Sequence, residues 1–295
     1  MEVQGMEANP LCPQLPVFDL DVFLRQPEGS QQLCEALSRC LLEASALVVR
    51  DPRIDQAASD AFLDMMEDYF DQPRELKMPD VHPELAYQPE LLRVAGAGPD
   101  APTAPTGPDS KWRFFWRVGA RPQHTRFAEL NAPPVVPGAF GDRWAGTMDG
   151  WGLGLVRTAE TVAQMAARGW GLAPDAFTQR MRHGPHLLAP TGVDLGAEPA
   201  PGAVFAGFHT DLNFLTVHGA SRYPGLFIWL RDGRRIAVRI PRGCILLQAG
   251  TQLEHLTGGA VRAGFHEVVC VPEALEAARR AGARPPGLAR LLHRV

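Results

Sequence analysis

Between Phe205 and Val271 the chain breaks into short runs of β-forming residues punctuated by Gly, Pro and Asp. Leu226 to Leu230, Ile236 to Ile240 and Cys244 to Leu247 are parted by Arg231-Asp232-Gly233-Arg234 and by Pro241-Arg242-Gly243. Runs this short, with a turn signal after each, are the pattern of an antiparallel sandwich or barrel. Such a fold returns the far end of the stretch to its beginning, and the two ends carry the chemistry. Phe208-His209-Thr210-Asp211-Leu212 opens the stretch and Gly264-Phe265-His266-Glu267-Val268 closes it. Strand side chains alternate, so His209 and Asp211, two residues apart, share a face. His266 follows 55 positions after Asp211 (266 − 211), in an apolar run with Val268 and Cys270 in phase. Two neutral imidazoles and one carboxylate from neighbouring strands suit non-haem Fe(II) and leave positions open for substrate and O2.

Two other histidines compete as ligands. His218 lies seven positions past Asp211 (218 − 211), an odd separation that puts it on the opposite face of a regular strand. His255 follows Glu254, and a Glu-His pair invites a metal reading; the expectation is a structural histidine near the site. His183 and His186 sit beside Gly184 and Pro185, the setting of loop residues rather than of ligands.

Residues further upstream read as alternating strands and helices. Pro16 to Leu20 and Leu47 to Val49 are short strands. Between them, Leu33, Ala36, Leu37, Cys40 and Leu41 recur at helical spacing, with Ser30 as the N-cap. Asp55 to Tyr69 is a second helix, with Phe62, Met65, Met66 and Tyr69 along one face. From Val94 to Pro108 Gly, Pro, Ala and Thr dominate, the composition of an exposed loop. The stretch Lys111 to Arg117 interleaves aromatics with cations; without a wider basic surface it reads as a packed strand rather than a base-stacking platform. Trp144 to Ala167 is a long amphipathic helix with Trp151, Leu155, Thr158, Val162 and Met165 on one stripe, and Pro174 opens another short helix.

Bulk properties narrow the function. A chain of 295 residues that is 45% apolar buries a substantial core. Its net charge of −4, with mixed signs, supplies neither a basic patch for nucleic acid nor a polybasic membrane anchor. Met1 to Pro10 lacks an apolar signal region, and no run approaches the length of a membrane span. The five Cys, an odd number without a Cys-x-x-Cys pair, are expected reduced, so the compartment expected is cytoplasmic.

These residues together resemble the isopenicillin N synthase-like 2-oxoglutarate/Fe(II) dioxygenases. The matching segments are His209 to Thr216, Gly225 to Trp229, Gln248 to Leu253, and Leu256-Thr257-Gly258-Gly259 leading to His266; upstream, Leu15 to Leu20 and Tyr69 to Pro73 resemble the family's N-terminal region. The resemblance implies a mainly β fold with flanking helices: a double-stranded β-helix (jelly roll) core over 111–295, buttressed by the helix near 144–167. An N-terminal α/β extension would occupy 1–110, with its Pro/Gly-rich loop near 94–110. It implies His209, Asp211 and His266 as the Fe(II) ligands, 2-oxoglutarate and O2 as co-substrates, and hydroxylation, desaturation or cyclisation of a small organic substrate.

Two departures matter. No Tyr stands in His183 to Pro190, where relatives carry one against the co-substrate. Relatives also place an Arg-x-Ser after the distal His; Glu276 occupies the usual spacing, inside a helical insertion from Glu273 to Arg280. Arg294 is then the remaining candidate to grip the far carboxylate of 2-oxoglutarate. The last strand of the core is expected to be missing, by truncation after Val295, or the chain ends naturally with Arg294 exposed. Two other functions stay open for such a chain: an oxidase that dispenses with 2-oxoglutarate, and a truncated, non-catalytic metal-binding relative. Substrate identity and oligomeric state are beyond the sequence.

Overall fold

The computed structural model describes residues 3–80, 111–126, 128–197, 199–219, 221–280 and 289–292. β1 (Met6–Glu7) lies antiparallel on β2 (Val17–Asp19), and the Asp19 carboxylate caps α1 (Leu20–Arg25) by accepting from the Asp21 amide. In α2 (Gln31–Ala44) Leu33, Leu37, Cys40 and Leu41 are buried, as their three-four spacing predicts. Ser30 stands at its start but does not cap it. The Ser30 hydroxyl donates back to the Gln26 carbonyl at 2.7 Å, because a 3-10 turn over Pro27–Ser30 brings that carbonyl within reach. Ser45, at φ 56°, turns the chain out of α2 into β3 (Ala46–Arg50). α3 (Gln56–Phe70) is capped by Asp55 and buries Phe62, Met65, Met66 and Tyr69; the short α4 (Arg74–Lys77) follows. The Gly/Pro-rich loop expected at 94–110 lies outside the described residues.

β4 (Lys111–Arg113) and β5 (Trp116–Arg117) make the aromatic-cation stretch a packed one: Trp116 is buried, and Lys77 Nζ lies 4.5 Å from the Trp112 ring. α5 (Asp142–Gly169) buries the whole expected stripe from Trp151 to Met165. Each such large apolar side chain removed from water stabilises by about 1.5–3 kcal/mol. The next helix, α6 (Thr178–Met181), starts after Phe177, so Pro174 belongs to the turn before it. β6 (Leu187–Leu188) and β7 (Thr191–Asp194) lead into the stretch that carries His209 and Asp211. There β8 (Val204–His209), β9 (Leu215–His218), β10 (Leu226–Trp229), β11 (Arg235–Ala237) and β12 (Cys244–Ala249) follow one another. α7 (Thr251–Leu256), β13 (His266–Val269), α8 (Pro272–Arg280) and β14 (Ala289–Leu292) complete the order.

One sheet runs β1-β2-β3-β12-β9 and another β11-β10-β13-β8; β14-β7-β4 form a third and β5-β6 a pair. Among the described strands, only β2 and β3 pair in parallel. The two larger sheets face each other, because Ile228 of β10 packs with Val48 of β3 and Leu246 of β12. On the outer side of β12 and β9, Ile245, Leu247 and Val217 pack in the cluster that holds α2, α3 and α5. α5 reaches α2 closely at Gly169, where a Cβ would overlap Ser38. β12, between β3 and β9, is buried at every position, which is why it reads as a nearly unbroken apolar run.

A further strand follows β13 in the chain. α8 intervenes as an insertion, and β14 then pairs antiparallel with β7 from Ala289 opposite Asp194 to Leu292 opposite Thr191. That edge of β7 would otherwise expose an unpaired row of backbone groups. Arg294 lies outside the described residues.

Candidate metal centre

His209 is the last residue of β8 and His266 the first of β13, and the register places them directly opposite each other. Their rings lie 4.3 Å apart. Asp211 follows where β8 has ended, and its two oxygens meet the two rings: Oδ1 is 3.6 Å from His209 Nε2, and Oδ2 is 3.6 Å from His266 Nε2. One ligand atom from each of the three residues lies within 4.8 Å of the others. His266 is fully buried while His209 and Asp211 keep partial exposure, so the cluster opens on one side.

The rings are held in the tautomer a metal needs. His209 Nδ1 donates to the Gly207 carbonyl at 2.5 Å, and His266 Nδ1 to the Gly264 carbonyl at 3.2 Å. A carbonyl only accepts, so each Nδ1 carries the proton and each Nε2 turns a lone pair toward Asp211. Asp211 is held in turn. Thr216 Oγ1 donates to Asp211 Oδ2 at 2.6 Å and accepts from Asn213 Nδ2 at 2.8 Å.

Backbone contacts anchor the loop that carries the carboxylate. The amides of Gly250, Thr251 and Gln252 donate to the carbonyls of Phe214, Asp211 and Asn213 at 3.1, 2.9 and 3.1 Å. Gly250 is required for this approach, since a Cβ there would overlap Asn213. On the opposite face of the strands, Phe208 and Phe265, each one residue before a histidine, stack at 4.5 Å and 4°. Trp229 meets Phe208 edge-on at 4.6 Å. This stack locks β8 to β13 in the register that pairs the imidazoles; a slip of one residue would turn one ring out of the site. Gln248, buried on the inner face of β12 opposite Thr216, packs on Gly264 and donates to the Phe265 carbonyl at 3.5 Å.

Histidines outside the triad fall differently from expectation in one case. His218 does not face away: it is buried with its ring 5.7 Å from that of His266, edge to face. Parity is lost because residues 211–214 are a turn, and β9 begins its own alternation at Leu215. His255 is exposed on α7, where neighbouring Glu254 accepts from the Ala263 amide at 2.7 Å and braces the turn before β13. His183 is exposed at φ 62°. His186 is part-buried; burial, then the Arg117 cation, lowers its pKa. Thr216 and Asn213 escape sequence reasoning, although the short spacing to Asp211 was their signal.

No protein family and no curated protein matches the sequence. Solved structures do match in shape. A full-length Neurospora crassa protein solved in complex with alpha-KG superposes with a TM-score of 0.71 at 17% identity, over 98% of this chain and 87% of that one. A putative 2OG-Fe(II) oxygenase family protein from Caulobacter crescentus gives 0.70 at 22% identity, over 95% and 85%. The dioxygenase for auxin oxidation 1 from Arabidopsis thaliana gives 0.62 at 15% identity, over 88% of each chain. The fold is the one these proteins share.

Proposed function

We propose that this chain is an Fe(II)- and 2-oxoglutarate-dependent oxygenase of a small organic molecule, built on a jelly roll that β14 completes. The carrying observation is the His209, Asp211, His266 cluster, with both imidazoles fixed as Nε2 donors and the carboxylate braced by Thr216. Three ligands on one face, two nitrogen and one oxygen, fit non-haem Fe(II). The shared fold with a protein solved in complex with alpha-KG supports the same co-substrate here.

Fe(II) with a bound 2-oxo acid and O2 would supply the oxidising power to attack an unactivated C–H bond. What the chain contributes is geometry and exclusion of water. His209 and His266 present their lone pairs without reorganisation, because the backbone carbonyls of Gly207 and Gly264 already hold the ring protons. Asp211 brings one negative charge, and the Thr216 hydroxyl keeps its Oδ2 from swinging away. Buried Ile228 and Val268, in phase with His266 across β10 and β13, make an apolar interior beside the ligands.

The test is anaerobic. Purified protein with Fe(II) and 2-oxoglutarate should develop the visible charge-transfer band of a chelated 2-oxo acid, and His266→Ala should not. Iron binding without the band would reject the co-substrate and favour an oxidase that works without it, as Glu276 at the usual arginine spacing also does. No iron binding would reject the oxygenase reading altogether.

A further inference from the structure

β12 reads Cys-Ile-Leu-Leu-Gln-Ala and is buried along its whole length. Five of these six side chains are what a strand covered on both faces calls for. Gln248 is the exception: it is 2% exposed, yet it carries an amide into the space between the sheets. Leu246, two residues earlier on the same face, packs there with Ile228.

The amide is poorly matched as a structural group. Its Nε2 donates to the Phe265 carbonyl at 3.5 Å, the long limit of such a bond. A carbonyl only accepts, so the nitrogen faces Phe265 and Oε1 is turned elsewhere. Oε1 is buried and meets no hydrogen-bond donor among the described residues. A buried acceptor left in this way costs more than one long hydrogen bond returns. Leucine or methionine would suit the stability of β12 better, so stability does not account for the amide.

The groups around it do. Gln248 lies opposite Thr216, whose hydroxyl holds Asp211 Oδ2 at 2.6 Å. Its Cγ, Cδ and Nε2 lie against Gly264, where a Cβ would overlap all three. Gly264 supplies the carbonyl that takes the ring proton of His266 at 3.2 Å, and Phe265 is joined directly to His266. The Gly264 amide also donates to the Ala249 carbonyl at 2.8 Å. β12 therefore grips the approach to β13 twice, by backbone from Ala249 and by side chain from Gln248. Both grips act within two residues of His266.

We infer that Gln248 is a positioning residue for His266: its amide fixes the Gly264–Phe265 peptide, and through it the direction of the imidazole Nε2, at a cost in stability. This rests on the reading of His209, Asp211 and His266 as metal ligands, and the experiment separates the two.

Co(II), which the same nitrogen and oxygen ligands bind, serves as the probe. It is titrated calorimetrically under argon, with urea unfolding of the metal-free protein beside it. Gln248→Met, close in length and without the amide, should bind Co(II) about 10- to 100-fold more weakly, the range for disturbing a group that orients a ligand. Its urea midpoint should stay at the parent value or rise. A residue that merely fills the core would lose stability and affinity together. Gly264→Ala keeps Gln248 but pushes its amide off the peptide, and should weaken Co(II) binding in the same range. Parent-like Co(II) affinity in either variant would overturn the inference, and so would a fall in the urea midpoint of Gln248→Met alongside its fall in affinity. A parent protein that takes up no Co(II) would reject the metal reading itself, and the inference would fall with it.

Discussion

Gly250→Ala is the sharpest test of how the carboxylate is positioned. A Cβ at Gly250 would overlap the Asn213 carbonyl oxygen and stand 2.7 Å from its carbon, where real Cβ contacts end near 3.0 Å. These atoms are backbone, not the free end of a side chain, so the loop must retreat by about 1 Å before the overlap clears. The retreat acts on three hydrogen bonds, from the amides of Gly250, Thr251 and Gln252 to the 211–214 loop. At a net value of about 1 kcal/mol each, stretching one to three of them costs about 1–3 kcal/mol of stability. Asp211 moves with the loop, since its own carbonyl accepts from Thr251. The expected fall in metal affinity is about 10- to 100-fold, the range for disturbing groups that orient a ligand. Urea unfolding without metal gives the first number, and calorimetric titration with Fe(II) under argon gives the second. Parent-like metal affinity together with a midpoint shift below about 0.5 kcal/mol would refute the reasoning. A stability loss with intact metal binding would show that Asp211 is held by Thr216 alone.

The remaining predictions concern buried groups. Glu267, next to His266 and fully buried, accepts from Arg235 Nε at 2.9 Å and Nη2 at 2.5 Å, and that guanidinium lies 3.6 Å from the Phe227 ring. Arg235→Met should destabilise by about 3–5 kcal/mol by leaving the carboxylate buried without its cation, and adding Glu267→Leu should restore most of the loss; equal midpoints for parent and single variant would contradict this. All five cysteines are free and buried, and burial pushes Cys34 up to about 11 and Cys40 up to about 12. A raised folded pKa gives stability that is complete below the unfolded thiol value and lost as pH rises toward the folded one. Urea midpoints should therefore fall between pH 9 and 11, less steeply in Cys40→Ala, and a thiol reagent at pH 8 should label the unfolded but not the native chain.

Much of the site is legible in the sequence because its signals are local or periodic. His209 and Asp211 stay together because only one residue separates them, although β8 ends at His209 and strand alternation does not reach Asp211. The turn signals between Leu226 and Leu247 require an antiparallel return, and that return is what brings His266 back. The same holds for the stripe of α5 and the Asp55 cap of α3, where spacing alone carries the information. Where local regularity breaks, sequence reasoning breaks with it. Alternation counted from Asp211 puts His218 on the wrong face, because four residues of turn reset it before β9. Ser30 has the chemistry of a cap, but the turn that precedes it offers its hydroxyl another partner.

The strand β14 is hidden from sequence reading by α8, which stands between it and His266. No spacing rule reaches across such an insertion. The His209, Asp211, His266 cluster, the β-rich core and the helices that cover it can be read along the chain, because each follows from patterns within a few residues or from one closing return. Which groups surround that cluster is a matter of folding in three dimensions. Gln248 meets Gly264, Arg235 meets Glu267, and Gly250 admits Asn213 because sheets and turns bring distant segments into contact, and the free energy of such a contact depends on distance in space rather than along the chain.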